Sequence, residues 1–288
     1  MATHTFCLIR WESSLDNQFA SWTLGDAKKM LGARLDDVFR AQAPVVDTVI
    51  EAIPAAFDSR TQWPGAVHPI RNQEQCGSCW AFAATEALSD RFAIQTNVTT
   101  NVVLSPQDLV SCDNADGNEG CNGGYPIKAW QYMQATGIVT DDCYPYSSGE
   151  GVTGNCLLTK TTTQCSDLKG TGTVQLYNAA SAYAVGSTVA ALQTEIYTNG
   201  PIEVAFDVYQ DFFSYTSGVY VHKTGSLAGG HAVKMIGWGT LNNVAYWTVA
   251  NSWGTSWGMD GFFLIKRGVD ECGIESAGVA GLADTSSF

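Results

Sequence analysis

Nine cysteines constrain the fold of this 288-residue chain more than any other feature of its sequence. Cysteine at this density is typical of chains that fold in an oxidising compartment and are cross-linked by disulfides. An odd number leaves at least one thiol outside any intramolecular set of bridges. Two of the cysteines, Cys76 and Cys79, are separated by two residues in the stretch QEQCGSCWAF. Such a pair can be a redox dithiol, half of a zinc site, or a disulfide cysteine beside a reactive one.

Composition excludes several classes of function. The formal net charge is −13, the opposite sign to the one that nucleic-acid binding requires. The sequence contains no run of 18 or more apolar residues, which is the length that a membrane-spanning helix requires. We therefore expect no nucleic-acid partner and no membrane partner. The hydrophobic content of 45% is enough for one large domain or two smaller ones with a real core.

Two features bear on the cellular route. The only N-x-[ST] acceptor is Asn97, so we expect glycosylation there. The first residues, MATHTFCLIRWESSL, lack the apolar stretch of a signal peptide, so this chain carries no clear one. The expected location is a lysosome-like or vacuolar compartment, or the outside of the cell.

Periodicity along the chain predicts an α+β fold. Residues 78–95 have helical spacing with one apolar face, and Ser105 is a good N-cap for a second helix. After residue 170 the pattern changes to short β-rich runs such as PIEVAFDVY and HAVKMIGWG, separated by glycine. We predict a mainly helical lobe over 53–166 and a mainly antiparallel, barrel-like β lobe over 167–288, with the site in the cleft between them. A composition change near Ile53 separates this domain from residues 1–52, where the stretch LGDAKKMLGARLDDVFRAQ has helical spacing.

The residues around the cysteine pair favour a reactive thiol. No buried strand precedes the pair, as a redox dithiol would require, and no second pair of zinc ligands exists, so we expect no metal and no cofactor. Cys79 lies at the predicted N-terminus of a helix, where the dipole favours a thiolate. His231, just after two glycines, can serve as a base, and the side-chain carbonyl of Asn251 can orient its imidazole.

Four motifs in order, QEQCGSCWAF, CNGGYP, GGHAV and NSWG, resemble the papain family of cysteine proteases. The resemblance implies that Cys79 is the nucleophile, His231 the general base and acid, and Asn251 the group that orients His231. It also implies that Gln73, with the Cys79 backbone N–H, stabilises the oxyanion, since the spacing of Gln75 does not match. Trp253 would shield the imidazole from water.

Longer stretches, including IPAAFDSRTQWPG and DECGIESAGVAG, are similar to the cathepsin B-like members of that family over essentially all of 53–285. Residues 20–50 resemble the short propeptide of the same group, so 1–52 is expected to be an inhibitory propeptide and the chain a zymogen. The substrate-binding residues that the resemblance implies are Gly123, Gly124, Tyr125, Pro126, Ala205, Gly230, Ala232, Trp253 and Ala277.

The resemblance also implies three disulfides. Cys76 would pair with Cys121. Cys112 would pair with Cys156 or with Cys165, and the remaining cysteine with Cys143. Cys7 and Cys272 are left unpaired in this scheme.

The sequence departs from cathepsin B at two places. The loop between Cys143 and Cys165 is short and contains no histidine, whereas cathepsin B carries two adjacent histidines there that hold a substrate's C-terminal carboxylate. We therefore expect an open cleft and an endopeptidase. Ala277 stands where cathepsin B has an acid in the pocket for the residue second from the cut, on its N-terminal side. A basic side chain would be desolvated there without a partner, so we expect Val, Leu or Phe and poor use of Arg.

The expected partners are protein and peptide substrates, the chain's own propeptide and cystatin-like inhibitors, and the chain is expected to be a monomer. Two alternative functions belong to other classes of protein. One is a catalytically silent binding protein on the same fold. The other is a disulfide oxidoreductase acting through Cys76 and Cys79, which a bridge from Cys76 to Cys121 would exclude.

Overall fold

The computed structural model describes residues 11–36, 38–114 and 117–286. Its helices are α1 (Leu24–Lys28), α2 (Ser59–Gln62), α3 (Cys79–Gln95), α4 (Pro106–Cys112), α5 (Pro126–Ala135) and α6 (Val189–Asn199). Its strands are β1 (Glu12–Ser13), β2 (Val45–Val46), β3 (Phe57–Asp58), β4 (Tyr183–Val185), β5 (Ile202–Tyr209), β6 (Tyr215–Ser217), β7 (Val219–Tyr220), β8 (Leu227–Leu241), β9 (Val244–Ala250), β10 (Phe262–Lys266) and β11 (Val279–Ala280).

Helix α3 is the central helix of the first lobe. It begins at Cys79 and is buried on every side as far as Ala93, whereas the sequence predicted only one buried face. The reason is tertiary, because α4 and α5 cover one side of α3 and the large sheet covers the other. Helix α4 begins as predicted, with the Ser105 hydroxyl accepting from the Asp108 N–H at 3.1 Å.

The second lobe is a sheet in the order β2-β4-β11-β5-β8-β9-β10-β7, with β3 also paired to β8. The long antiparallel pair of β5 and β8 lies at its centre, with Ala205 opposite Ala232 and Phe206 opposite His231. The predicted α+β fold is confirmed, and the sheet is open rather than closed into a barrel. Pairing with β5 holds the backbone of β8 at His231, and pairing with β9 holds the strand from Lys234 onwards.

Two hydrophobic cores meet at a seam of small side chains. One core fills the helical lobe around Trp80 and Trp130, and the other lies on the sheet around Trp247 and Trp257. Between them, Cys79 packs with four alanines, Ala33, Ala83, Ala205 and Ala232. Small residues on both sides leave the cleft in which a peptide backbone can lie.

Buried ion pairs join the lobes beneath this seam. The Nζ atom of Lys234 on β8 lies 2.7 Å from a carboxylate oxygen of Asp90 on α3. Arg91, also on α3, lies 2.8 Å from Glu195 on α6. Buried charges need such partners, and losing one partner would leave the other uncompensated.

The described residues of the N-terminal segment, 11–36 and 38–52, pack along the cleft face of both lobes. Strand β1 pairs with β6, and Phe19 packs edge-on against Trp253 with ring centroids 5.2 Å apart. The helical spacing in residues 24–42, which Gly32 interrupts, forms an α-helix among the described residues only at α1, and a short 3-10 helix follows at Arg40–Gln42. The described part of the chain contains no helix long and apolar enough to cross a membrane. Cys7 lies outside the described residues.

Candidate active site

Cys79 is the first residue of α3 and is fully buried. Ser78 precedes it without capping the helix, because its hydroxyl is 2.9 Å from that of Tyr146 instead. The first N–H groups of the helix therefore point towards the cleft without a side-chain acceptor. The backbone of Ala232, next to His231 in the sequence, hydrogen-bonds to the Cys79 sulfur. This contact holds the thiol close to β8, the strand that carries His231.

His231 is held by one of its two ring nitrogens. Its Nε2 atom lies 2.7 Å from Oδ1 of Asn251, which directly follows β9. That carbonyl also accepts from the Ser252 backbone N–H at 2.8 Å, which fixes its direction. Because a carbonyl oxygen can only accept, Nε2 carries the proton and Nδ1 of the neutral ring keeps its lone pair. Nδ1 has no hydrogen-bond partner among the described residues, as a group that takes up a proton requires.

Trp253 covers the hydrogen bond between His231 and Asn251. Its ring centroid is 4.7 Å from that of the imidazole, and the tryptophan is fully buried. Phe213 stacks on its far side at 5.5 Å. Trp253 therefore lies against the imidazole, and its role in keeping water from the hydrogen bond stays a prediction.

Gln73 is fully buried, and its side-chain amide is fixed at both ends. Nε2 donates to the Cys76 carbonyl at 2.8 Å, and Oε1 accepts from the Ser252 hydroxyl at 2.7 Å. The second N–H of the amide points into the cleft, where it donates to the Met30 carbonyl. Gln75 is exposed and takes no part in this arrangement. Ser252 was not predicted, and the only signal for it in the sequence is its position directly after Asn251.

Residues 30–34 of the N-terminal segment, which we call the cleft segment, occupy this site. The carbonyl oxygen of Met30 accepts from Gln73 Nε2 at 2.8 Å, and the Gly32 N–H donates to the Cys79 sulfur at 3.3 Å. The sulfur therefore contacts an amide N–H, whereas attack on a peptide would require a carbonyl carbon.

Two predicted glycines hold the cleft segment through their backbones. Gly124 donates to the Gly32 carbonyl at 2.8 Å and accepts from the Arg34 N–H at 2.9 Å. The carbonyl of Gly230 accepts from the Ala33 N–H at 3.1 Å. Gly123 lies beside the same backbone, since a Cβ atom on it would be 2.6 Å from the Gly32 oxygen. These contacts form a short ladder that any extended peptide could use.

Burial shifts the pKa values of Cys79 and His231. It raises the pKa of the Cys79 thiol to about 11, against the opposing effect of backbone hydrogen bonds from Ala232 and Gly32. It lowers the pKa of His231 to about 4 despite the bond to Asn251. Both groups are therefore neutral at pH 5–7 while the cleft segment is in place. A thiolate–imidazolium pair is favoured only when the site opens to water.

A cavity of about 260 Å³ lies beside the cleft segment. Four of the predicted pocket residues line it, Tyr125, Pro126, Ala205 and Ala277. Ala232, also predicted, does not line the cavity and lies instead in the seam against Cys79. The sequence missed Ile127, Ser276 and Val279, which are also part of the lining. All three lie within two residues of predicted ones, but only the fold shows that they face the cavity.

Three disulfides decide between the alternatives that the sequence left open. Cys76 is bonded to Cys121, Cys112 to Cys156, and Cys143 to Cys165. The first bridge removes Cys76 as a redox partner for Cys79. Cys79 and Cys272 are the free cysteines among the described residues. Asn97, the predicted glycosylation site, is exposed just beyond α3, and glycosylation there stays a prediction.

Comparisons with known proteins agree with this geometry. The family profile described as "Papain family cysteine protease" matches residues 53–282. The chain belongs to the papain family of cysteine proteases. The protease is 46% identical over 268 residues to a "Gut-specific cysteine proteinase" of Caenorhabditis elegans, covering 88% of this chain and 80% of that protein. It is 45% identical to "Cathepsin B-like cysteine proteinase 5" of the same organism, covering 91% of this chain and 86% of that protein.

Solved structures of proenzymes share the fold of this protease. The "proCathepsin B S9 from Trypanosoma congolense" superposes with a TM-score of 0.86 at 35% identity, covering 96% of this chain and 94% of that chain. A "digestive procathepsin L2 proteinase from Tenebrio molitor larval midgut" gives a TM-score of 0.78 at 29% identity, covering 96% and 85% respectively. The protein is thus a cathepsin B-like cysteine peptidase with the fold of a proenzyme.

Proposed function

We propose that the protein is a zymogen of a cysteine endopeptidase in which Cys79, His231, Asn251 and Gln73 form the catalytic group. The observation that carries this proposal is the peptide backbone in the cleft, which places a carbonyl oxygen on Gln73 and an amide on the Cys79 sulfur. A substrate would bind the same ladder with its scissile carbonyl carbon at the sulfur. Residues 1–52 would be the propeptide, removed on activation.

In the proposed mechanism the Cys79 thiolate attacks the carbonyl carbon of the peptide. The Gln73 amide and the Cys79 backbone N–H donate to the resulting oxyanion, and one such donor is worth roughly 3 kcal/mol in the transition state. The His231 imidazolium gives its proton to the leaving amine, and the sulfur keeps the acyl group. His231 then activates a water molecule that hydrolyses the thioester.

Endopeptidase activity is supported by the loop between Cys143 and Cys165. The loop is tied down by buried polar contacts, with Gln107 Nε2 donating to the Ser148 hydroxyl at 2.9 Å and the Ser111 hydroxyl donating to the Thr153 carbonyl at 2.9 Å. It folds against α4 and contains no histidine. We therefore expect no group in this loop that binds the C-terminal carboxylate of a substrate. Cleavage should not require a free C-terminus.

Pocket shape supports a preference for an apolar residue second from the cut. The cavity is lined mainly by apolar side chains, and Ala277 offers no charge to a basic one. Val, Leu or Phe would bury apolar area there.

Cystatin-like inhibitors would compete for the same cleft. The three disulfides support folding in an oxidising compartment, followed by secretion or delivery to a lysosome-like compartment.

The proposal is tested with an internally quenched peptide carrying Leu at the preferred position, made with an amidated and with a free C-terminus. Purified protein from which the N-terminal segment has been removed should cleave both forms at similar rates at about pH 5 with reductant, and Cys79→Ala should cleave neither. Cleavage of the free acid alone, two residues from its end, would show a carboxydipeptidase. Absence of cleavage after the N-terminal segment is removed would favour a catalytically silent binding protein.

A further inference from the structure

A tyrosine that the proposed mechanism does not use contacts the oxyanion stretch, residues 73–79, which carries both proposed oxyanion donors. Tyr146 lies in the loop between the cysteines of the third disulfide, and its hydroxyl donates to the backbone carbonyl of Gln73 at 2.8 Å. The same phenol oxygen lies 2.9 Å from the hydroxyl of Ser78. A phenol has a single hydrogen, so the Ser78 hydroxyl must be the donor in this second bond. One side chain thus joins Gln73 to the residue directly before the proposed nucleophile.

The bond from Tyr146 fixes the backbone of Gln73 on one side. On the other side, the Gln73 N–H donates to the Ser252 carbonyl at 2.9 Å. The peptide groups that flank Gln73 are therefore held from both lobes, and they set the direction in which its side chain leaves the backbone. A shift of this backbone would move the amide that is proposed to donate to the oxyanion, and small displacements of this kind can lower a rate strongly.

The bond from Ser78 to the phenol fixes the second proposed donor, the backbone N–H of Cys79. That N–H belongs to the same planar peptide group as the Ser78 carbonyl. The carbonyl accepts from the N–H groups of Ala81 and Phe82, at 2.9 Å and 3.0 Å. Ser78 is fully buried, so its hydroxyl depends on the phenol for a partner. The direction of the Cys79 N–H is therefore set by the helix on one side and by Tyr146 on the other.

Two further contacts hold the loop against the oxyanion stretch. The Tyr146 ring packs edge-on against Phe82 of α3, with ring centroids 4.7 Å apart. The carbonyl of Gly149 accepts from the Gln75 N–H at 2.8 Å. Between these contacts, Glu74 has a left-handed backbone with a φ of 54°, which a residue other than glycine keeps only where its surroundings hold it. The loop thus supplies bonds that keep the stretch in this conformation.

The phenol also stays a donor over the range in which a cysteine protease of this kind would work. Burial raises the pKa of Tyr146 above its ordinary value, and the negative charge of a Cys79 thiolate acts in the same direction. The hydroxyl therefore keeps its hydrogen at acid and neutral pH. Its bond to the Gln73 carbonyl does not depend on the ionisation of the active site.

We propose that Tyr146 is a positioning residue, which holds the Gln73 amide and the Cys79 N–H so that both donate to the oxyanion. The inference rests on the proposed function. Among the described residues, the cleft segment makes no hydrogen bond to Tyr146, so the phenol acts through Gln73 and Ser78 rather than on the substrate. Its contribution belongs to the step in which the oxyanion forms and not to the binding of the substrate.

The test is Tyr146→Phe in the processed enzyme, from which the N-terminal segment has been removed. This change deletes the hydroxyl and keeps the ring that packs on Phe82. We expect kcat to fall about tenfold, with KM within about twofold of the wild-type value. Active-site titration corrects both constants for any loss of folded enzyme.

Two reactions of the Cys79 thiol separate positioning from general damage. A peptide aldehyde takes the sulfur at its carbonyl carbon and places its oxygen at the oxyanion site, so its affinity should fall by about the same tenfold factor. Alkylation by iodoacetamide forms a carbon–sulfur bond and releases iodide without forming an oxyanion. The alkylation rate of Tyr146→Phe should therefore stay within about twofold of the wild-type rate.

Tyr144→Phe is the matched control. Tyr144 lies in the same loop, but its hydroxyl donates to the Asn155 carbonyl at 3.1 Å and not to the oxyanion stretch, so kcat should not change. Ser78→Ala removes the other partner of the phenol and should also lower aldehyde affinity more than the alkylation rate. This variant tests the idea even if Tyr146→Phe does not fold. In a Gln73→Ala background, Tyr146→Phe should cost less than in the wild type, because one of the donors is already absent.

Two outcomes would overturn the inference. One is an unchanged kcat in Tyr146→Phe. The other is an equal loss of kcat, aldehyde affinity and alkylation rate, which would indicate damage to the whole site. A wild-type processed enzyme that cleaves no peptide would count against the proposed function instead.

Discussion

At the scale of single residues, the role proposed for Gln73 depends on a neighbour that is remote in the sequence. The Ser252 hydroxyl holds the amide oxygen at 2.7 Å, so the amide nitrogen must point towards the cleft. Ser252 also follows Asn251, whose carbonyl holds His231. Two adjacent residues after β9 thus orient both the proposed oxyanion donor and the proposed base. A donor that is already oriented costs no reorganisation during the reaction.

We predict that Ser252→Ala lowers kcat by roughly five- to tenfold and leaves KM nearly unchanged. The amide of Gln73 would still be present but no longer held in one orientation, so the loss should be smaller than that for Gln73→Ala, roughly a hundredfold. Steady-state kinetics of the processed enzyme measure both constants. Ser256→Ala, at an exposed serine four residues on, is the matched control and should have no effect. Unchanged kcat in Ser252→Ala would contradict the positioning role.

At the scale of elements, the cleft segment is extended because the surrounding backbone demands it. Gly32 passes so close to Gly77 that an added Cβ atom would overlap the Gly77 carbonyl. Only glycine fits this approach, and the same residue interrupts the helical pattern that begins at α1. The segment exchanges helical hydrogen bonds for bonds to Gly124 and Gly230 on the two walls of the cleft.

We predict that Gly32→Ala in the full-length chain exposes the active-site thiol. The methyl group would push the cleft segment away from Gly77, and a backbone clash of this kind cannot be relieved by a change of rotamer. The rate of Cys79 alkylation at about pH 5.5 should rise at least about tenfold, with mass spectrometry confirming that the chain is uncut. Gly25→Ala is the control, since its Cβ atom would meet only the Thr23 hydroxyl at 3.6 Å. Equal alkylation rates in the two variants would show that the segment tolerates the methyl group.

At the scale of the whole molecule, buried carboxyl groups tie stability to pH. Burial raises the pKa of Glu86 to about 7, and one of its oxygens lacks a partner among the described residues. Burial likewise raises the pKa of Asp108 to about 7, although the Val139 N–H donates to it. An acid whose pKa is higher in the folded chain binds more protons there than in the unfolded chain. Its stabilising effect is complete below the unfolded pKa and is lost as pH rises through the folded value.

We predict that the protein is more stable at about pH 4.5 than at about pH 7, because the carboxyls of Glu86 and Asp108 outweigh His231, whose lowered pKa acts in the opposite direction. Each shift corresponds to a few kcal/mol, or a fall of roughly 5–10 °C in the apparent unfolding midpoint per group. Thermal scans at one scan rate in the Cys79→Ala background avoid self-digestion. Glu86→Gln and Asp108→Asn should each flatten the dependence on pH, whereas Glu150→Gln, at an exposed site, should not. A midpoint that rises towards neutral pH would contradict this prediction.

The sequence alone determined the features that depend on short stretches of chain. The start of α3 at Cys79, the Ser105 cap of α4 and the change from helix to strand follow from local chemistry. So does the choice of Cys79, His231 and Asn251 as candidates, since each lies in a short motif whose residue types suit its task, whereas Gln73 was implied by the resemblance to the papain family. These properties involve neighbours a few residues apart, which can be read directly from the chain.

Tertiary structure alone decided which distant residues meet. It gave Cys112 its partner Cys156, placed Ser252 against Gln73, and paired Glu203 on β5 with Val279 on β11. It also overrode the helical pattern after Lys28, because the backbone bonds offered by Gly124 and Gly230 replace those of a marginal helix. Whether a carboxyl such as Glu203 is exposed or buried depends on what packs over it, and that depends on the whole fold.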